Sequence, residues 1–234
     1  MAVITRYVDA GSSGGDGTTD ATSGAQAAYA SLQAALDAQS TDLVTAGDSL
    51  VIICGGSTAD TEVEDTGTVA WTGMVTSATN DITIQAAENH EGVWDDTIYR
   101  LESDSYYRVL GIPSDQFVTI IGLQVSNTRS PSGGAAADIF EVVGSGAGAV
   151  TLDRALLRHT CTNISSGSGK GVRTSRLTGD CVLTIQNCIA YDCLTNGFQM
   201  RVVNTAGGGA IHVLNCTAVN CPTGFNVAAR SSSG

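Results

Sequence analysis

From Asp48 onward, the apolar residues fall in short runs in which hydrophobic and polar positions alternate. The clearest are FVTIIGLQV from Phe117, AVTLDRALL from Ala149, VLTIQNCIA from Val182 and AIHVLNCTA from Ala210. Overlaid, they make Val118, Val150, Leu183 and Ile211 equivalent, and likewise Ile120, Leu152, Ile185 and Val213. The next inward set is Leu123, Ala155, Cys188 and Cys216. Equivalent residues recur at intervals of 32, 33 and 28. DITIQAA from Asp81 is an earlier member of the series. Alternation with period two describes a strand with one buried face. The phase then breaks at Gly122 or Asn187, residues that tolerate the left-handed backbone a corner requires.

One stretch, AQAAYASLQAALDA, has a helical period instead. Ala25, Tyr29, Leu32 and Leu36 recur at i, i+4, i+7 and i+11, which predicts a helix from Ala25 to Ala38 with Ser23 as N-cap. MAVITRYV before it reads as a short opening strand, followed by a Gly/Ser/Asp loop from Asp9 to Gly24. The strand DSLVIIC follows the Gly47-Asp48 turn. Repeats of this length with one clear strand, a corner and then polar loops predict a solenoid. A propeller blade would need four antiparallel strands and hairpin turns in each repeat. The predicted fold is all-β: a right-handed parallel β-helix solenoid with an N-terminal capping α-helix. Residues 1–46 form the strand, loop and cap. Residues 47–234 form one β-helix unit whose last rung is incomplete. Ile120, Leu152, Ile185 and Val213 should stack in one interior row. Tyr29, Leu32 and Leu36 should cover the first rung near Leu50 and Ile52.

Composition narrows the picture. Hydrophobic residues make up 42% of the 234, but aromatics only 5%, which suits a narrow aliphatic core. The net charge of −12 repels phosphate backbones, so nucleic acid is not an expected partner. No run approaches the roughly 20 apolar residues of a membrane span, and Met1–Arg6 does not read as a signal peptide. Seven cysteines argue against a complete disulfide framework. The repeats put Cys188 beside Cys216 and Cys193 beside Cys221. Distance alone does not forbid disulfides there, but a reduced ladder of small buried side chains is the expectation. No CxxC pair occurs and the histidines are scattered, so no zinc site and no cofactor are expected.

The best local cluster for chemistry is Asp153, Arg154, Arg158 and His159, with Lys170 and Arg173 on the next loop and Asp192 one rung above. If the chain is an enzyme, Asp153, Arg158, His159 and Lys170 are the candidates. A polysaccharide hydrolase needs two carboxylates at a set separation. A lyase needs a cation and a base. Neither pattern is evident, and an exposed polar face with corner salt bridges accounts for the same residues. Trp71 and Trp94 could stack on sugar rings, though packing is the simpler role. The loop with Asp16 and Asp20 lacks EF-hand spacing and reads as a surface loop.

Four stretches carry a resemblance: TRYVDAGSSGGDGT at Thr5, YASLQAALDAQSTDLVTAGDSLVIIC at Tyr29, TSATNDITIQAA at Thr76 and HEGVWDDTIYRLE at His90. The chain resembles pectate-lyase-like right-handed parallel β-helix proteins. Its first hundred or so residues resemble short acidic β-helix proteins of tailed phages and prophages. The resemblance concerns framework and turns and carries over no catalytic residue. It implies a non-catalytic structural protein of a tailed-phage virion, a capsid decoration or cement protein or a tail-spike or fibre component. Such a protein would be made in the host cytoplasm, and is commonly a homotrimer in contact with other virion proteins such as the major capsid protein. The alternatives are a polysaccharide lyase or glycoside hydrolase, or an adhesin module binding surface glycans.

Overall fold

The computed structural model describes residues 2–61, 71, 73–104, 108–128, 138–160, 169–175, 177, 179–204 and 209–231. It is predominantly β, and its three sheets are parallel throughout. The first sheet has seven strands in chain order: Val3–Asp9, Ser49–Gly55, Ile82–Ala86, Phe117–Ile121, Ala149–Asp153, Val182–Gln186 and Ala210–Leu214. The second has six: Ala59–Asp60, Arg100–Ser103, Gln124–Asn127, Leu156–His159, Ile189–Tyr191 and Thr217–Val219. The third has five: Leu110–Pro113, Phe140–Val143, Val172–Ser175, Asn196–Asn204 and Thr223–Ser231. From Ile82 on, the chain visits the first, second and third sheets in strict rotation.

In the first sheet, Ile52 pairs with Ile84, then come Ile120, Leu152, Ile185 and Val213 in unbroken register. The first five of these side chains are fully buried, and Val213, on the terminal strand, is half-buried. The second sheet turns Leu101, Val125, Leu157 and Ala190 inward, and the third turns in Leu110, Phe140, Val172 and Phe198. Phe225 follows Phe198, their rings stacked 4.9 Å apart. The second and third sheets approach closely where glycine is required. A Cβ on Gly197 would lie 2.7 Å from Ala218 Cβ, and one on Gly171 would lie 2.8 Å from Ala190 Cβ.

The corner after the first sheet is left-handed at Gly122, Arg154, Asn187 and Asn215, with φ between 51° and 70°. Asparagine adopts this backbone at little cost, and its amide adds a link between neighbours. Asn187 Nδ2 donates to Asp153 Oδ1 (2.9 Å), and Asn215 Nδ2 to Asn187 Oδ1 (3.4 Å). A second corner repeats the device, with Asn220 Nδ2 donating to Asp192 Oδ1 at 3.1 Å.

The N-terminal helix differs from the sequence expectation. It runs Leu32–Ala38 (α1), not Ala25–Ala38, and its N-cap is Ser31, whose side chain accepts from Ala34 N–H. Residues 25–28 before it bond to the preceding loop, and Tyr29 is drawn into a bridge with the first strand. Tyr29 N–H donates to Tyr7 O, and Asp9 N–H donates to Tyr29 O, so Tyr29 satisfies the free edge of Val3–Asp9. Sheet pairing at an open edge outcompetes about two more helical turns. A second short helix, Leu43–Ala46 (α2), was not evident in the pattern; it ends at Gly47 with φ 73°. Tyr29, Leu32 and Leu36 are all buried. Helix α1 contacts Val3–Asp9, which lies between it and Ser49–Gly55. Its first turn is fixed by Asp60, whose Oδ2 accepts from Leu32 N–H (2.7 Å) and from Tyr99 Oη (2.6 Å). Beside that charge, burial holds the Tyr99 phenol well above its usual range.

Candidate functional site

The candidates read from sequence separate in space. Asp153 ends a strand of the first sheet, pairing with Arg154 Nε at 3.3 Å and accepting from Asn187. Arg158 points outward from the second sheet, its guanidinium carbon 3.8 Å from the centre of the Trp94 ring. His159, one residue on, is buried with Lys170. Asp192 lies at the second corner with Asn220. Trp71 is buried, its indole donating to Gly111 O (2.7 Å). The Asp16 carboxyl is held below the usual range by hydrogen bonds from Thr18, within its surface loop.

His159 and Lys170 belong to a larger charged network at the start of the third sheet. Asp138, Glu141 and Lys170 are each about 95% buried. Asp138 Oδ1 lies 3.4 Å from Lys170 Nζ, and its Oδ2 accepts from Arg173 Nη1 at 2.8 Å. Glu141 Oε2 accepts from Arg108 Nη1 at 2.6 Å. Its Oε1 lies 3.6 Å from Arg173 Nε, an ion-pair distance too long for a hydrogen bond. Burial lowers the Arg173 pKa, but Asp138 and Glu141 outweigh it, so the net shift is upward. The arrangement interleaves acids and bases from three successive repeats, and each carboxylate is held by two cations. It ties neighbouring strands together through charge-assisted bonds.

Sequence reasoning missed Asp138, Glu141 and Arg108. The signal was there: Asp138 and Glu141 stand 32 residues before Lys170 and Arg173, the same interval that separates Val118 from Val150. Opposite charges at equivalent positions become cross-strand pairs, and Glu141 does pair with Arg173.

His159 is 2% exposed, with Nε2 3.4 Å from Lys170 O. Burial pushes its pKa down to about 4, despite that carbonyl and the Asp138 charge. A depressed histidine pKa means that the unfolded chain binds the proton first. Its stabilising effect is complete above about pH 6.5 and is lost as pH falls toward about 4, a change of about 3 kcal/mol. Urea titrations at pH 7 and pH 4.5 should show this loss, and His159→Gln should flatten the difference. Equal pH dependence in both proteins would contradict a buried neutral imidazole.

The outer face of the second sheet is covered by residues 88–98. Gln124 Nε2 donates to Asp95 O (2.8 Å) and Asp95 N–H donates back to Gln124 Oε1 (2.7 Å). His90 Nε2 sits 2.6 Å from Arg154 O. Trp94 packs edge-on to Tyr191 at 6.5 Å. Burial pushes the Tyr191 phenol up to about 12, partly offset by the Arg158 charge.

Six cysteines are described and all are free; Cys161 lies outside the described residues. Cys188 and Cys193 are buried, while Cys216 and Cys221 are half-buried one strand further on. Each of the latter two reaches back to a carbonyl of the preceding repeat, Ile185 O and Ala190 O, at 3.6 Å. Hydrogen bonds from Cys188 and Cys193 hold them down to about 7.

Among the described residues, no group of three His, Cys, Asp or Glu is placed to hold a metal ion, and no helix is long and apolar enough to cross a membrane. A cleft of about 260 Å³ at the first corner is rimmed by Asp9, Asp20 and Glu88. No family model matches the chain, and neither a curated protein nor a solved structure matches it.

Proposed function

We propose that the three sheets are the faces of a right-handed parallel β-helix, each turn of the rotation being one rung, with α1 and Tyr29 capping its N-terminal end. We further propose that this solenoid is a non-catalytic structural protein of a tailed-phage virion, a capsid decoration or tail-spike component that works by binding as a homotrimer. The observation that carries this reading is where the reactive groups are spent. Asp138, Glu141, Lys170 and Arg173 bond rung to rung, and Asp153 and Asp192 anchor asparagine ladders at the corners. Side chains used this way stiffen a rod, the property wanted of a particle component. The resemblance of the first hundred or so residues to short acidic phage β-helix proteins points the same way, and the acidic surface suits a dispersed particle. Purified protein should release no product from a panel of acidic and neutral polysaccharides. Robust activity that disappears in Asp153→Asn would overturn the reading in favour of a polysaccharide lyase or hydrolase.

A further inference from the structure

The three lateral faces differ sharply in what they offer a partner. The second sheet turns out Gln124, Ser126 and Leu156, yet all three are buried, and Asp95 of the covering segment bonds Gln124 in both directions. The third sheet turns out Glu141, Arg173 and Arg201, with Arg108 beside them. The first sheet is different. Its central outward row reads Thr5, Val51, Thr83, Thr119, Thr151, Thr184 and His212 in continuous register. Thr83, Thr119, Thr151 and Thr184 are each half-buried, with part of the side chain open to solvent. The flanking outward positions include Ile53, Phe117, Ile121 and Val182. In a chain of net charge −12, the acidic side chains on this face are Asp9 and Asp153, both at strand ends, and its basic one is His212, on the terminal strand.

We propose that this neutral threonine-lined face is the surface through which copies of this chain associate. Interfaces are depleted of charge at their centre, and two acidic copies meet at least cost where neither presents charge. Seven strands at about 4.8 Å and five residues at about 3.3 Å give a face of roughly 550 Å². With this face turned toward the axis of a trimer, each copy shares it between two neighbours, and the three copies together commit roughly 1,650 Å². Identical patches meeting in a closed arrangement use the same row on every subunit. Threonine suits the role, since its methyl packs while its hydroxyl both donates and accepts across the contact. The inference rests on the oligomeric part of the proposed function and assigns it to one face.

The test is sedimentation and native mass measurement across a dilution series. Wild-type protein should be oligomeric at micromolar concentration. Thr119→Glu/Thr151→Glu sets acids against their own copies in the partner and should weaken association by about 100-fold or more, giving monomers. Thr217→Glu, on an exposed position of the second sheet, should leave the oligomer unchanged. Circular dichroism melts establish that the variants fold, and Thr151→Glu alone serves if the double variant does not. An oligomer that survives the first-sheet substitutions overturns the face assignment while leaving the oligomeric reading standing. A wild-type protein that is monomeric at every concentration overturns both, but not the presence of the protein in particles, which is measured separately.

Discussion

Ile185→Asp should abolish soluble, cooperatively folding protein. Ile185 is fully buried next to last in the interior row, between Leu152 and Val213, with Leu183 beside it on the same strand. A carboxylate there has aliphatic Leu152 and Val213 on either side in its row, and an isolated buried charge costs several kcal/mol after relaxation. The lost aliphatic packing adds about 2–5 kcal/mol, the range for truncating a buried isoleucine to alanine. Together these approach the whole stability of a typical domain, about 5–15 kcal/mol. A graded series separates the two contributions: Ile185→Val should cost about 0.5–1.5 kcal/mol and Ile185→Ala about 2–5. Soluble yield and urea melts give the comparison. An Asp variant as soluble and stable as wild type would mean that the side chain does not face a dry core.

Asp138→Ala should have the second-largest effect, about 3–5 kcal/mol of lost stability, because it removes the acid from a buried ion pair and leaves the bases. Its two oxygens serve Lys170, which is almost fully buried, and Arg173. Asp138→Asn keeps the size and part of the hydrogen bonding but not the charge, and should fall between Ala and wild type. The same substitutions test whether Glu141 is coupled. In a double-mutant cycle with Glu141→Gln, the two losses should be non-additive, since both acids share Arg173. Additive losses, or a cost below 1 kcal/mol for Asp138→Ala, would show that the network is solvated and incidental.

These residues also show what the sequence makes legible. The inward row was readable because period-two alternation and equal spacing are both one-dimensional signals. Overlaying the repeats puts Val118, Val150, Leu183 and Ile211 together, and the strands pair in that register. The corners at Gly122 and Asn187 were readable because a left-handed backbone favours glycine and asparagine, and both have positive φ; the equivalent corner at Arg154 was not, since arginine carries no such signal. The helix begins about two turns later than its amphipathic spacing suggests, at Leu32 and not Ala25. Amphipathic spacing across Ala25 and Tyr29 is a local preference, and the free edge of Val3–Asp9 supplies hydrogen bonds that no local pattern reveals. The chemistry was hardest to read. Asp153, Arg158 and His159 are near neighbours in sequence, but a corner and an alternation send them to three environments. Asp138 and Glu141 lie far from their partners in sequence and meet them only because the repeat length carries one onto the other. Residues 88–98 looked like a turn-rich connection, and only the three-dimensional arrangement shows them covering one face.

The functional account stands or falls on where the protein is found. Particles purified from a culture of the source that carries this gene should be digested and quantified by mass spectrometry against their major capsid protein. The account predicts the chain in washed, gradient-purified particles at a fixed stoichiometry matching a symmetric capsid or tail position, in multiples of three for a trimer. Its absence from particles, with the protein recovered only in the soluble lysate, would contradict it.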